Sequence, residues 1–350
     1  MQISAFGEDA TNGDLYGIFL NSDFQGAKIA RFEQVPADPG TVGGPPLYLS
    51  QTGCFDPSFI TQPVEDLIPY ETGAQFWSDG ATKRRWFSVP DATTVALTPD
   101  GDFLWPNGTM LVKEFALNDK KVETRFMVKQ VENGRWAGYS YAWNDAQSDA
   151  TLVKDSGDSK VWDAQTWFYP GRSQCFQCHT DIANTSLGLE TAQLNHDMTY
   201  EATAITANQI NTLIHIGVVD ASVAPPPYPD LPYITDITRS VEERARGYLH
   251  ANCSGCHRPE GPTFVAMDLR YDVTFADMKI CNASPQISDM EDIIPNNPRL
   301  LSPGDPSRSQ IYQRMLTSGT YRMPAVGRTL PDQEALAVLG AWITSVTACP

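Results

Sequence analysis

The chain has 350 residues, of which 41% are hydrophobic and 10% aromatic, enough apolar material to bury the cores of about two or three domains. Its formal net charge of −17 speaks against nucleic acid and against anionic membrane surfaces, and suits a basic partner. No stretch approaches about 18 apolar residues, so no membrane-spanning helix is expected.

Residues 1–48 read as a hairpin and a linker. Two strands, 14–20 and 27–32, flank a polar turn, and a lone hairpin is marginal in water. The chain opens without a basic n-region or an apolar h-region, so no signal peptide is read there. The Pro/Gly-rich stretch 36–46 reads as a joint.

Residues 49–165 are β-rich. Runs at 109–117, 122–131 and 136–143 have alternating or β-branched character, and Asn107-Gly108 and Asn133-Gly134 are turn signals. A small antiparallel sheet or sandwich is expected, with most of Trp77, Trp86, Trp105, Trp136, Trp143, Trp162 and Trp167 in its core.

Residues 166–222 contain Cys175-Phe176-Gln177-Cys178-His179, and a second copy, Cys253-Ser254-Gly255-Cys256-His257, follows further on. The spacing has a chemical reason. Two thiols three positions apart can each add to one vinyl group of a haem, and the next residue, a histidine, is then held under the iron. Zinc also uses Cys-x-x-Cys, but the 75 positions from Cys178 to Cys253 exceed ribbon spacing, and zinc does not require the adjoining histidines. Two covalently bound haem c groups are therefore expected, on Cys175, Cys178, Cys253 and Cys256, with His179 and His257 as axial iron ligands. That chemistry implies a periplasmic or otherwise exported protein, and the chain then reads as a fragment or the C-terminal part of a longer exported polypeptide. For the sixth ligand at His179 the reading favours His215, on a helix over 207–216, with Met198 as the alternative; His196, Met110, Met127 and an open site are also considered.

A proline-rich spacer, 223–237, separates this segment from residues 238–350. The latter read as a small all-α cytochrome c domain. One helix runs from Val241 into Cys253, and another begins near Pro331, with Leu336, Leu339, Trp342 and Ile343 on one face. Met323 lies on the loop before that last helix, where a thioether can return across the second iron, and it is the favoured sixth ligand there. His250 reads as packing or surface. Cys54, Cys281 and Cys349 leave at most one disulfide, in any of three pairings. The fold class is thus α+β: a β-rich antiparallel domain, a helical haem-binding segment and a C-terminal all-α cytochrome c domain.

Residues 49–350 resemble bacterial dihaem c-type cytochrome modules. The likeness is carried by Phe76-Trp77-Ser78-Asp79-Gly80-Ala81, Gly108-Thr109-Met110-Leu111-Val112-Lys113, Glu123-Thr124-Arg125 and Tyr169-Pro170-Gly171-Arg172-Ser173-Gln174-Cys175. Further on it is carried by Met267-Asp268-Leu269-Arg270, Pro303-Gly304-Asp305-Pro306-Ser307-Arg308-Ser309 and Met323-Pro324. Phe6-Gly7-Glu8-Asp9 and Asp14-Leu15-Tyr16 resemble the last blade of glucose/sorbosone dehydrogenase propellers, which hold pyrroloquinoline quinone. The resemblance implies an electron-transfer module more than a catalyst in its own right. Its partners would be redox proteins: a quinone-dependent sugar or alcohol dehydrogenase as donor and a periplasmic cytochrome or oxidase as acceptor. The alternative is a dihaem peroxidase-type enzyme with an open site at the first haem.

Overall fold

A computed structural model of the chain describes residues 2–8, 15–20, 27–32, 44–220, 229–286 and 297–350. Residues 36–43 of the expected linker and 223–228 of the 223–237 spacer lie outside these residues. Three strands come first, β1 (Gln2–Glu8), β2 (Leu15–Leu20) and β3 (Ala27–Phe32), in an antiparallel meander. The expected hairpin therefore gains a partner: β1 lies along β2, with Phe6 opposite Gly17.

A short hairpin, β4 (Phe55–Asp56) and β5 (Phe59–Pro63), precedes the main sheet. That sheet begins with β6 (Ile68–Pro69) and β7 (Thr82–Ser88). After a second hairpin, β8 (Ala96–Leu97) and β9 (Phe103–Leu104), it continues through β10 (Met110–Leu117), β11 (Lys120–Lys129), β12 (Trp136–Trp143) and β13 (Ala150–Leu152). The spatial order is β13-β12-β11-β10-β7-β6, antiparallel throughout. Asn118 and Asp119 both take positive φ, 47° and 63°, and so form the tight turn whose twist suits the β10–β11 hairpin.

Strand side chains alternate between faces, so the sheet has two different surfaces. One buries Trp86, Val112, Phe126, Tyr141 and Trp143 with Leu49 and Phe55. The other carries Phe87, Leu111 and Met127, which pack with Leu189, Leu194 and Ile210 from the segment after the sheet. A hairpin of β14 (Asp158–Trp162) and β15 (Gln165–Tyr169) leads into that segment. There follow two single-turn helices, α1 (Arg172–Cys175) and α2 (Thr191–Leu194), a hairpin of β16 (Asp197–Tyr200) and β17 (Ile205–Asn208), and α3 (Gln209–His215). Most of this segment is loop wrapped on the sheet, where a helical segment was expected.

The fold-class expectation is corrected further on as well. Among the described residues after 237 the α-helices are α4 (Val241–Cys253), α5 (Gln310–Leu316) and α6 (Gln333–Ser345), and the described residues 254–286 and 297–309 hold no α-helix or strand beyond single bridges and one 3-10 turn, Pro306–Arg308. Among the described residues the molecule is mainly β, and no all-α cytochrome domain is formed there. The reason is local: prolines, glycines and asparagines recur through this interval, and its backbone pairs through single bridges such as Cys281 with Leu301 and Arg299 with Ser309. The helices that do form have strong signals. Ser240 caps α4, accepting from the Glu243 amide while Glu243 accepts from the Ser240 amide. Asp332 caps α6, placing Pro331 just outside the helix, and Leu336, Leu339, Trp342 and Ile343 are buried as its periodicity predicts. Cys281 and Cys349 form the disulfide, and Cys54 stays buried.

Candidate functional site

The two Cys-x-x-Cys-His segments meet. Thr180 Oγ1 donates to the Gly255 carbonyl at 2.7 Å, Cys256 Sγ lies 3.5 Å from the Gln177 carbonyl oxygen, and Arg258 donates to the Ile182 carbonyl at 3.3 Å. Alongside them His250 Nε2 donates to Glu190 at 2.7 Å. Its Nδ1 accepts from the Tyr271 amide at 2.9 Å, so both ring nitrogens are occupied and the tautomer is set. His250 is thus a packing residue that joins α4 to the first segment.

Within the first segment, α1 delivers Cys175 and the next turn brings the His179 amide onto the Cys175 carbonyl at 3.0 Å. Cys175 rests on Gly138 of β12, where a Cβ would come within 2.6 Å of its sulfur. His179 donates from Nδ1 to the Thr185 carbonyl at 2.5 Å, which leaves Nε2 with its lone pair. Burial, and then the charge of Lys113, lower the His179 pKa to about 3, so the ring is neutral. In the second segment the His257 amide donates to the Cys253 carbonyl at 2.8 Å, and the His257 carbonyl accepts from the Leu269 amide. Burial, and then Arg314, lower the His257 pKa to about 4. Burial also raises the thiols, Cys178 to about 11 and Cys253 to about 12, with Cys175 and Cys256 shifted in the same direction.

A cavity of about 690 Å³ opens beside the first segment. Cys175, Cys178 and His179 line one end, Met127 and Trp167 stand on its wall, and Arg322 and Arg328 approach from the far half of the chain. The site residues expected from sequence divide accordingly. Met127 reaches the cavity. His215 ends α3 exposed and away from it, Met198 is buried in β16, and His196 is engaged with Gln209 and Tyr233. Met323 is half-buried, its amide donating to the Arg314 carbonyl at 2.8 Å and its carbonyl accepting from Arg328 Nε at 2.9 Å.

The expectation of two covalently bound haem c groups is corrected. Among the described residues no group of three or more His, Cys, Asp or Glu side chains stands together to hold a metal ion, and the segments lie in a mainly β chain. No helix among the described residues is long and apolar enough to cross a membrane.

Sequence reasoning missed the basic character of the cavity wall. Lys113 lies directly opposite Arg85 on one side and Arg125 on the other, in the middle of three adjacent strands. The signal was present: single charges inside otherwise apolar strand runs, in Met110-Leu111-Val112-Lys113 and Arg125-Phe126-Met127. Compared with known protein families, curated proteins and solved structures, the chain matches none.

Proposed function

We propose that this chain is an exported electron-transfer protein, with electrons entering and leaving at the two adjoining Cys-x-x-Cys-His segments. The observation that carries the reading is their direct contact, Thr180 on Gly255 and Cys256 on Gln177, between segments far apart in sequence. Electron exchange needs such proximity, and packing alone does not require that two identical motifs be the parts that touch. The disulfide Cys281–Cys349 supports an oxidising compartment. Thiol–disulfide exchange is a poorer reading, because burial holds all four segment thiols protonated, whereas exchange needs a thiolate.

The resemblance to dihaem cytochrome modules and to a propeller blade suggests the partners: a quinone-dependent sugar or alcohol dehydrogenase as donor, and a basic soluble protein as acceptor to the −17 chain. The test is film voltammetry on the full chain isolated from the exported fraction. A reversible redox wave that is not a thiol couple is expected. A two-electron thiol couple, or no reversible wave, would overturn the reading. A peroxide-reducing enzyme is the second reading, favoured by the cavity beside His179, which gives a small oxidant access. Steady peroxide consumption with a reduced partner would establish it.

A further inference from the structure

We propose that His250 is an acid-sensitive toggle between the halves of the chain. On taking a second proton it releases the loop at Tyr271 and strengthens its hold on Glu190. This inference concerns the packing of the two halves and stands whether or not electrons pass between the segments.

The ring is engaged by partners of opposite kind. Nε2 donates to Glu190 Oε1 at 2.7 Å, and Nδ1 accepts from the Tyr271 amide at 2.9 Å. The two side chains are only 11% and 15% exposed, so little water is at hand to replace either partner. A neutral imidazole fits this arrangement, because one nitrogen carries hydrogen and the other a lone pair. An imidazolium does not. Both of its nitrogens donate, and the new Nδ1 hydrogen would face the hydrogen of the Tyr271 amide. The second proton and the amide contact therefore exclude one another. Glu190 responds in the opposite sense, since its hydrogen bond gains a full positive charge when the ring is protonated.

The Tyr271 peptide transmits the choice. Arg246, one turn before His250 on α4, donates to the Tyr271 carbonyl at 2.8 Å and also to the Val273 carbonyl. Thus α4 clamps one residue of the loop by both its amide and its carbonyl. Protonation opens one jaw and places a second cation four positions from Arg246, a spacing at which like charges on a helix repel. Two residues back, the Leu269 amide donates to the His257 carbonyl, so the loosened loop is the one that packs on the second segment.

The surrounding charges leave the ring as the group that changes. Burial raises the Glu190 pKa, but the charges of His250 and then Arg258 bring it below its ordinary range, so this carboxylate stays ionised. Asp102, bridged to Glu190 through the backbone, is pushed up by burial and then by Glu190, and accepts from Asn184. Arg246 is paired with Glu242, Arg270 beside Tyr271 is paired with Asp268, and Asp272 is exposed. Imidazoles are the side chains that ordinarily change charge between about pH 5 and 8.

Nitrogen-15 NMR of the full chain from about pH 8 to about pH 5 tests this. The His250 Nδ1 resonance should move from the unprotonated to the protonated position. Protection of the Tyr271 amide, corrected for intrinsic exchange, should fall about tenfold at the same midpoint, as loss of one hydrogen bond implies. The Leu339 amide in α6 should keep its protection, which separates the event from unfolding. Glu190→Gln should move both midpoints to lower pH together, because it removes the anion that favours the imidazolium. His250→Gln should leave Tyr271 protection flat with pH, and carries the test should Glu190→Gln fail to fold. A proton already on Nδ1 at the alkaline end, or Tyr271 protection that stays constant while the ring titrates, would overturn the proposal. So would a fall in His250→Gln equal to that of the parent, or a ring that takes no second proton before Leu339 loses protection.

Discussion

Asp79 reaches across 250 positions of sequence to hold Thr329, accepting from its amide at 2.8 Å and from its hydroxyl at 2.8 Å, and it takes the Leu330 amide as well. The neighbouring Trp77 donates from Nε1 to the Leu330 carbonyl, and its amide donates to Asn252. A single loop of the β-rich half thus grips both α4 and the approach to α6. Asp79→Ala removes a buried carboxylate that serves three donors, and should cost about 3 kcal/mol of stability in urea titration. Amide exchange at Thr329 and Leu330 should rise at the same time. An unchanged midpoint would show that the clasp forms without holding the halves together.

Lys113 sets a pH dependence. Burial, followed by the charges of Arg85 and Arg125, lowers its pKa to about 7 in the folded protein, from an ordinary 10.5. Between these values the unfolded chain binds more protons at this position than the folded one, so stability rises with pH from about 7 to about 10.5. The slope from this group is at most about 1.4 kcal/mol per pH unit. Subtracting the urea stabilities of Lys113→Met from those of the parent isolates this term. A difference that stays flat with pH would refute the assignment.

Gly138 is a packing prediction. A Cβ there would lie 2.6 Å from Cys175 Sγ and 2.9 Å from its Cβ, with Met127 Sδ at 3.2 Å. Neither α1 nor β12, paired on both sides by β11 and β13, can yield easily, so Gly138→Ala should destabilise by about 1–3 kcal/mol through overpacking. Gly44→Ala, which meets no atom within 4 Å, should leave the melting temperature unchanged.

The disulfide Cys281–Cys349 joins positions 68 apart in sequence and encloses helices α5 and α6. Replacing Cys349 by serine should cost about 4 kcal/mol by loop-closure entropy. Dithiothreitol should lower the unfolding midpoint of the parent by a similar amount and leave that of the serine variant unmoved.

Much of the sheet was legible in the sequence. Strand alternation located β10 and β12, and Asn133-Gly134 marked a turn, because local periodicity and turn chemistry act within a few residues. Helices α4 and α6 were legible from their first-turn residues and apolar faces. The placement of histidines and methionines was not. His215 lies on a helix at a suitable distance in sequence, yet α3 buries Ile210 and Leu213 against the sheet and turns His215 outward. Met127, inside a strand, comes to the cavity because the register of β11 against β12 sets it beside Gly138 and Cys175. Register is a property of pairs of strands, and no single stretch of sequence displays it. The same holds for Arg85, Lys113 and Arg125, each unremarkable until three strands align.

The proline-rich stretch invites division of the chain into two independent pieces, and the contacts across it argue otherwise. Leu231, just beyond the prolines, is buried and donates its amide to Ala192, and Gly73 packs closely against its carbonyl. With the grip of Trp77 and Asp79, the His250–Glu190 pair and the meeting of the two cysteine segments, the halves share their surfaces as subunits of an obligate complex do. Two polypeptides split in this stretch should therefore each be sticky when produced alone, and should recover solubility by complementation when produced together.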